Sequence, residues 1–476
     1  MADAPALAQT LAGDFPPATE ADWRALVDKT LGEAPFESLE KATVEGLSIA
    51  PLYAPAARPT APARAVAADR AWEVATLTAH PDAGRANAEI LADLRGGAAA
   101  AVVRIDPTGK AGVAAGSADH LARILEDVIL ELAPVGLDAG FLGPQAADWL
   151  GAAAKASPSA LLRFHLDPLS AYAEAGASPG PIEAHLISAA NVAVRLAQTY
   201  PHAQLFLASG RVVHEAGGGE ALEVALAASA AIAYAKALVR AGMPMAEAFA
   251  RITLSLSADA DYFAAIAKLR AARSLWARIA TACGAEPTAR IEARSSRRML
   301  TAKDAWTNMI RLTAAGFGAA VGGADTVILG QFTDALGLPT EFARRQSRNA
   351  QLVLMEEAHI GRVADPAAGS GYVEALTDEI ARAAWTGFQA IEAAGGAVAA
   401  LSSGHVARQV EAANAARPAP RIIGVTAFPP AKDTPVEVEV AAARSVAAPS
   451  TRLPGPDGAC PALRAMRTAE TFEVTP

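Results

Sequence analysis

Cysteine, aromatic side chains and excess positive charge are all scarce in this sequence of 476 residues. The two cysteines, Cys283 and Cys460, lie far apart, which excludes a disulfide framework and a cysteine-based metal site. Aromatic residues make up 5 % and hydrophobic residues 52 %, so the apolar mass is mostly Ala, Val and Leu and favours closely packed helices. The 41 Lys and Arg are outnumbered by 50 Asp and Glu, and the net charge of −9 gives no indication of nucleic acid as the main partner.

The sequence also lacks the features of a secreted or membrane-spanning protein. Its first residues, Met-Ala-Asp-Ala-Pro, have no basic region followed by an apolar stretch. The most apolar helical stretch, residues 221–239, contains Glu223 and Lys236 and is predicted to fall short of a membrane span. We therefore expect a cytoplasmic protein without a membrane partner.

Residues 1–68 predict an N-terminal arm and linker. The pattern indicates a helix beginning near Glu20 and a strand-like stretch at 44–52, and the linker that follows is rich in Pro and Ala. A segment of this size has too few residues for a core of its own. We expect the arm to make subunit contacts.

Residues 69–415 alternate short apolar runs with longer helical segments. Most runs are apolar throughout, as in strands that are covered on both faces. About eight such β-α units predict an α/β fold of the TIM (β/α)8 barrel type. The predicted strands are 101–105, 135–139, 161–166, 204–208, 252–256, 289–293, 326–329 and 362–364. The predicted helices include 120–132, 221–241, 262–282 and 302–315.

Residues 416–476 predict a short C-terminal extension that is partly irregular. A last strand or extended pairing segment is predicted at 421–428. Pro, Ala, Ser and Gly dominate 447–461, which is predicted to be a loose tail.

Two local motifs suggest other chemistry. Asp365, Pro366 and the Gly-rich turn that follows resemble the first motif of S-adenosylmethionine-dependent amino-methyltransferases. Those enzymes also need a later Asn/Asp-Pro-Pro-aromatic motif, and its absence disfavours this alternative. Glu356 and His359 have the helical spacing of a metal-binding pair, but a single copy favours a solvated helix face. The residue types and their spacing do not by themselves indicate a set of catalytic side chains.

Longer stretches resemble the methylmalonyl-CoA mutase family. The resemblance begins at Phe15-Pro16-Pro17 and runs to about Phe428 in the family's order. The matching segments include 34–39, 46–53, 267–276, 300–304, 335–340, 348–352, 365–370 and 372–374. The resemblance implies a barrel with an N-terminal arm, and it places the Asp365-Pro366 motif at the last barrel strand.

The sequence departs from the active members of that family at the residues that face their substrate. An Arg and a Tyr that follow a Trp in those members are replaced, after Trp72, by Ala75 and Leu77. A His on the thioester carbonyl is replaced by Val212, which can neither donate a hydrogen bond nor polarise a carbonyl. His214, two positions on, is a weaker candidate for that role. No catalytic, cofactor-binding or metal-binding residue is therefore assigned to this chain.

Further departures converge on the predicted mouth of the barrel. Three family segments are altered at 167–172, 292–298 and 324–328. Four arginines stand where smaller or substrate-facing groups belong: Arg211, Arg294, Arg297 and Arg298. They predict a mouth that is narrower or plugged compared with that of an active subunit.

The resemblance thus implies the small, non-catalytic subunit of a heteromeric methylmalonyl-CoA mutase. Active subunits have a cobalamin-binding domain with an Asp-x-His-x-x-Gly motif, and no Asp in this sequence starts that pattern, so no cofactor is expected on this chain. The implied partner is the catalytic large subunit of a heterodimer, which would bind adenosylcobalamin and interconvert succinyl-CoA and methylmalonyl-CoA. Indirect contact with a G-protein chaperone of the mutase is also implied. The alternative is an active acyl-CoA mutase subunit that uses non-family residues.

Overall fold

The computed structural model describes residues 18–56, 61–64 and 70–473. The Phe15-Pro16-Pro17 segment and two parts of the predicted linker, 57–60 and 65–69, lie outside the described residues. The chain forms two compact units, Met1–Tyr53 and Ala54–Pro476.

The first unit contains one helix and a short hairpin. Helix α1, Glu20–Leu31, begins at a capping box in which Thr19 and Asp22 each accept the other's backbone N–H. Trp23 of α1 meets the ring of Phe36 edge-on, with ring centroids 5.9 Å apart. A 3₁₀ turn, Phe36–Leu39, leads to the antiparallel strands Lys41–Ala42 and Ser48–Ile49, so the predicted strand at 44–52 is reduced to two residues. None of the described residues of this unit is buried.

Eight parallel strands of the second unit close into a barrel, which confirms the predicted fold class. Each strand pairs with the next in chain order, and the last pairs with the first. Because all the strands are parallel, the loops that follow them meet at one end, the carboxyl end of the barrel. The strands are β1 Glu73–Thr78, β2 Ala100–Arg104, β3 Val135–Asp138, β4 Leu162–Leu166, β5 Gln204–Ser209, β6 Ile252–Ala258, β7 Ile291–Ser295 and β8 Thr326–Ile328.

Helices form the layer outside the strands. Those between the strands are α2 Ala83–Arg95, α3 Ala118–Ile124, α4 Gly143–Ala153, α5 Pro168–Ala175, α6 Ile182–Thr199, α7 Arg211–Glu215, α8 Glu220–Arg240, α9 Met245–Ala250, α10 Tyr262–Ala282 and α11 Asn308–Val321. After β8 come α12 Glu341–Leu352, α13 Gly371–Ala393, α14 Ala397–Ser402, α15 His405–Ala416 and the terminal turn α16 Glu470–Glu473. The long helix α13 packs along α8 and α10.

Seven of the eight predicted strands correspond to β2–β8 within two residues at each end. The eighth, 362–364, is wrong, because Ile360–Arg362 form a 3₁₀ turn and Val363 is exposed. The strand that the sequence reasoning missed is β1, in which Glu73 and two threonines interrupt the apolar run. The predicted helices 221–241 and 262–282 are confirmed by α8 and α10, whereas 120–132 ends at Ile124 and 302–315 becomes the 3₁₀ turn Ala305–Thr307 followed by α11.

The prediction that helix α8 falls short of a membrane span is wrong. By length and composition it is the one helix among the described residues that could cross a membrane. Of its most apolar 18 residues, 72 % are buried, since the helix lies between the strands and α13. The core helix of a soluble protein passes the same test.

The C-terminal part of the chain follows the rim of the barrel. We call residues 421–473 the rim segment. In chain order, its hydrogen bonds reach the loops and helices that follow β7, β8, β1, β2, β4 and β5, and then the loop after β7 again. The partners are Arg311 with Ile423, Leu338 with Glu439, Arg85 with Glu439, Pro107 with Val446, Pro179 with Leu453, Glu215 with Met466 and Arg298 with Thr468.

The rim segment therefore passes round the carboxyl end in the order of the strands. The prediction of a loose tail at 447–461 is wrong, although the backbone there is irregular. Residues 458 and 459 even form a two-residue antiparallel ladder with Ala177–Ser178. A segment rich in Pro cannot form a regular sheet or helix, but its remaining backbone groups can bond to the loops beneath it.

Candidate functional site

The axis of the barrel is crossed by ion pairs. The guanidinium of Arg163 on β4 reaches the Glu73 carboxylate on β1 and also lies 3.4 Å from the Thr326 hydroxyl on β8. Strands β4 and β1 are not neighbours in the barrel, so this pair spans its interior. The Thr326 hydroxyl completes the group by donating to Glu73 at 2.8 Å.

A second set of charges crosses the barrel nearer its carboxyl end. Arg294 on β7 donates from Nε to Glu292 at 2.7 Å and from Nη1 to Asp138 on β3 at 3.1 Å. Arg104 on β2 donates to the same Asp138 oxygen from two nitrogens, each at 3.1 Å. Two guanidinium groups and two carboxylates thus connect strands β2, β3 and β7.

These charges shift one another's pKa values. Burial opposes ionisation of Glu292, but the positive charges of Arg294 and its neighbours outweigh it and lower the pKa to about 2. Burial is likewise outweighed at Asp138, where Arg104 and Arg294 lower the pKa. Each carboxylate is therefore ionised, and is paired rather than available to act as a general acid or base near neutral pH.

His165 on β4 lies within this network. Its Nδ1 is 4.0 Å from Glu292 Oε2, and neither ring nitrogen has a hydrogen-bond partner among the described residues. Burial lowers the pKa of His165 to about 4, so the ring is neutral at pH 7. Its backbone has a φ of +46°, and a Cβ on Gly136 would stand 3.2 Å from its Nδ1. The neutral ring of His165, packed against Gly136, is thus another side chain within the axis.

An apolar cluster lies on three adjacent strands, β8, β1 and β2. Ala75 and Leu77 of β1 pack with Ala100, Val102 and Ile328 of the adjacent strands. Ala75 is fully buried, and Leu77 also lines the cavity at the mouth. Where the family resemblance calls for an Arg and a Tyr, this chain has side chains without a polar group.

At the carboxyl end lies a cavity of about 550 Å³. Three of the four arginines predicted at the mouth line it: Arg211, Arg294 and Arg297. The fourth, Arg298, binds the backbone oxygens of His214 and Gly218 and the carboxylate of Asp259. Residues 438–441 of the rim segment form part of the wall, with Glu439 held by Arg85 at 2.9–3.1 Å.

Val212 and His214 lie on the short helix α7 rather than on a strand. Val212 is buried, and His214 is fully buried among charged groups. The His214 ring stands 3.4 Å from Glu223 on one side and 3.4 Å from Asp259 on the other. Neither residue is among those that line the mouth cavity, so His214 is not placed to take over the role of the missing histidine.

His214, Glu220 and Glu223 come close enough together to hold a metal ion. The ammonium of Lys268 already contacts both carboxylates, at 2.6 Å from Glu223, and provides the positive charge that a metal would bring. Burial opposes ionisation of Glu223, but Lys268 outweighs it and lowers the pKa to about 2. The cluster joins His214 of α7 to two glutamates of the following helix α8.

The two local motifs have structural roles. Asp365 and Glu374 both contact the guanidinium of Arg270, which fixes the entry to α13. This motif therefore follows the barrel instead of lying at its last strand, as the resemblance implied. Glu356 and His359 are both exposed, as predicted, but His359 follows the π-helical turn Val353–Glu357 with a φ of +55°, so the two residues do not share a helix face.

The described residues do not fit the groups that the family resemblance implies. A CoA ester reaching the interior would have to displace the paired charges of Arg163, Asp138 and Arg294. A cobalt ion needs a free imidazole, but the one histidine among the residues lining the described cavity is His80. Its Nδ1 accepts the Asp82 N–H at 3.1 Å and its Nε2 lies 3.3 Å from Glu439.

Sequence reasoning missed the axial network. Glu73, Asp138, Arg163 and His165 were not singled out, although Arg163 and His165 are charged or titratable residues within an otherwise apolar strand. The sequence therefore showed two unusual residues in this strand. It did not show their partners, because each pair joins residues of different strands.

Comparison with known proteins agrees with this architecture. The family model of methylmalonyl-CoA mutase matches residues 65–450. The chain is 37 % identical over 468 residues to the methylmalonyl-CoA mutase small subunit of Streptomyces virginiae, covering 91 % of this chain and 74 % of that protein. It is 36 % identical over 439 residues to the small subunit of Propionibacterium freudenreichii subsp. shermanii, covering 86 % and 67 %.

A more distant relative is the methylmalonyl-CoA mutase of Escherichia coli (strain K12). The identity is 28 % over 435 residues, which cover 83 % of this chain and 61 % of that protein. The chain therefore spans about three fifths to three quarters of the length of these relatives. The barrel, the family match and the identity to two small subunits lead to one conclusion: this chain belongs to the methylmalonyl-CoA mutase family.

Proposed function

We propose that this chain is the non-catalytic small subunit of a heteromeric methylmalonyl-CoA mutase. In this proposal a large subunit binds adenosylcobalamin and interconverts succinyl-CoA and methylmalonyl-CoA in the cytoplasm, while this chain supports its assembly. The names of the most similar relatives support the subunit type. The observation that carries the proposal is the barrel axis filled by paired charges.

The axial network argues against a substrate channel. The pairs of Arg163 with Glu73 and of Arg294 with Asp138 each cross the barrel, and in each pair the arginine is buried while the carboxylate is partly exposed. Breaking a buried pair costs about 3–5 kcal/mol because it leaves an uncompensated charge. The contacts of an acyl-CoA in the axis would have to offset this cost. Ala75, Leu77 and Val212 offer it no polar group.

The N-terminal arm supports the assembly role. Helix α1 has no buried residue, and Leu26 at its centre is 65 % exposed. Exposed apolar side chains on an element without a core are typical of an interaction surface. We assign to this arm the contact with the large subunit.

Activity of the separated subunits tests the proposal. The purified chain with adenosylcobalamin and methylmalonyl-CoA should show no turnover, and turnover should require addition of the large subunit. The double variant Leu77→Tyr and Val212→His should remain inactive alone, because the axial pairs are unchanged. Turnover by the isolated chain, above that of a mock purification, would favour the alternative of an active mutase that uses non-family residues.

Binding of the large subunit tests the arm. Deletion of residues 1–52 should abolish co-purification, and Leu26→Lys should weaken it. Ile310→Lys is the matched control, since Ile310 is 71 % exposed but lies on barrel helix α11. Undiminished affinity of the deletion variant would show that the arm is dispensable for assembly.

A further inference from the structure

The buried ring of His214 faces carboxylates on both sides. Its Nδ1 lies 3.4 Å from Glu223 and 3.7 Å from Glu220, both on α8. Its Nε2 lies 3.4 Å from Asp259, which follows β6. A neutral imidazole has one N–H donor and one acceptor nitrogen, so one of its nitrogens would direct a lone pair at a carboxylate. The imidazolium, which has a donor on each nitrogen, matches both contacts.

The charges around this ring balance when the ring is protonated. Among the residues that the structure describes, two cations contact the three carboxylates, namely Lys268 of α10 and Arg298 after β7. Asp261 and Arg417 also act on the cluster through their charges, and they cancel each other in the count. Three carboxylates against two cations leave one negative charge, which an imidazolium neutralises. An uncompensated charge in such a buried cluster would be costly.

Two of the three carboxylates have lowered pKa values, which supports this count. Burial opposes ionisation of Glu223, but Lys268 and His214 outweigh it and lower the pKa to about 2. Burial is likewise outweighed at Asp259, where His214 and Arg298 lower the pKa. At His214 itself, burial and the two cations oppose protonation, but the facing carboxylates outweigh them and raise the pKa.

His214 connects α7 with the elements around it. Helix α7 follows β5 at the carboxyl end of the barrel, and the ring joins it to α8 and to the residues after β6. Arg298 donates to the backbone oxygen of His214 at 2.9 Å. The rim segment is bound at the same place, because Met466 N donates to the Glu215 oxygen and Thr468 N to the Arg298 oxygen, each at 2.9 Å. A change in the charge of the ring therefore acts on α7 and on residues 466–468 together.

We propose that His214 is a buried imidazolium that fixes α7 and residues 466–468 to the barrel, and that loss of its proton in alkaline solution releases them. A ring whose pKa is raised above the usual 6.5 in the fixed form stabilises that form at lower pH. This stabilisation is lost as the pH rises through the raised value. The neutral ring then directs a lone pair at one carboxylate and leaves the cluster with one negative charge in excess.

Nuclear magnetic resonance of the full chain, labelled with carbon-13 at histidine Cε1, tests the protonation state. The buffer contains EDTA, so that no metal ion occupies the cluster, and the pH is raised stepwise from 6 to 10. The His214 signal, assigned by its absence from His214→Gln, should have the chemical shift of an imidazolium at pH 7 and lose it at higher pH. A neutral ring at pH 7, or a ring that keeps its proton to the end of the titration, would overturn the proposal.

Amide hydrogen exchange over the same pH range tests the release. Protection of α7, Met466 and Thr468 is corrected for the intrinsic pH dependence of exchange. It should fall by about tenfold for each unit by which the fixed form raises the pKa of the ring. Protection within α2, which follows β1, should stay constant. If α7 keeps its protection after the ring has lost its proton, the proposed release does not occur.

Glu220→Gln tests the charge balance and leaves the histidine in place. The Glu220 side chain is 19 % exposed, and its loss of charge leaves two carboxylates against two cations. The ring should then lose its proton, and α7 its protection, at a lower pH than in the unmodified chain.

The matched control is Glu357→Gln, which removes the same charge from an exposed position after α12. It should leave both titrations unchanged. The histidine signal that shifts in Glu220→Gln but not in Glu357→Gln also assigns His214 independently of His214→Gln. An equal shift in the two variants, or no shift in Glu220→Gln, would overturn the proposal.

Discussion

The axis of the barrel and the helix layer around it are both buried, but different interactions stabilise them. In the helix layer, small side chains let helices approach closely: a Cβ on Gly387 of α13 would stand 3.1 Å from the Cβ of Ala225 on α8. In the axis, long charged side chains cross between strands that are not neighbours. Close packing of small side chains stabilises the helix layer, and pairing of opposite charges stabilises the axis.

The interior of this barrel is therefore packed in two ways. A TIM barrel needs a packed interior, and its interior is a core rather than a pore. Here that core is supplied partly by Ala75, Val102 and Ile328 and partly by paired charges. Apolar contacts and paired charges thus maintain the interior of the barrel together.

Removal of one axial carboxylate should have the largest effect. In Glu292→Ala the Nε of Arg294 loses its 2.7 Å partner within the buried axis. We expect a loss of about 3–5 kcal/mol in the free energy of unfolding, measured by urea denaturation. The matched control is Asp378→Ala, which breaks an exposed pair with Arg382 on α13 and should cost less than about 1 kcal/mol. Equal losses in the two variants would contradict the distinction between axis and surface.

The pH dependence of stability should reveal the next largest effect. His165 has its pKa lowered from 6.5 to about 4, so the folded chain favours the neutral ring, and stability is lost as the pH falls from about 6.5 to 4. Since one unit of pKa difference corresponds to about 1.4 kcal/mol, the full loss is about 3 kcal/mol.

In His165→Asn the free energy of unfolding should change less between pH 6.5 and 4.5 than in the unmodified chain. Asn tolerates the positive φ at this position. His202→Asn, at an exposed position, serves as the control and should leave the pH profile unchanged. If His165→Asn keeps the slope of the unmodified chain, His165 does not titrate in this range.

A volume change in the helix layer should cost somewhat less. Ala225 is fully buried on α8, and Ala225→Leu would drive its longer side chain towards Gly387. Overpacking of this kind costs about 1–3 kcal/mol. The loss should be independent of pH between 4.5 and 6.5, in contrast to that of the axial histidine. A pH-dependent loss would contradict the distinction between the helix layer and the charged axis.

The smallest effect is expected in the arm. Thr19→Ala removes the side-chain cap of α1, which is worth about 1 kcal/mol of helix stability. Because the arm is a separate compact unit, amide exchange should quicken within α1 while the unfolding midpoint of the barrel stays unchanged. Thr19→Ser, which retains the hydroxyl, should behave as the unmodified chain. A shift of the barrel midpoint would mean that arm and barrel unfold together.

Much of the fold could be predicted from local pattern. Short and mostly apolar runs located β2–β8, and the Ala-rich segments located α8 and α10 at nearly their observed bounds. Strand β1 was missed because Glu73 and its threonines break the apolar pattern, and they do so because Glu73 faces a partner across the barrel. The false strand at 362–364 arose from short apolar residues that the structure leaves exposed.

The alternation of strands and helices and the family resemblance could both be recognised in the sequence. So could Ala75, Leu77 and Val212, the apolar residues at positions where the resemblance implies polar ones. Which charges meet depends on the folded barrel. Arg163 and Glu73 are 90 residues apart, and Arg294 and Asp138 are 156 apart, so no local pattern could pair them. The same holds for His214, buried against Asp259, and for the rim segment, whose irregular backbone finds its partners on the barrel's loops. Local sequence encodes periodicity and burial, whereas closure of the barrel brings distant strands together.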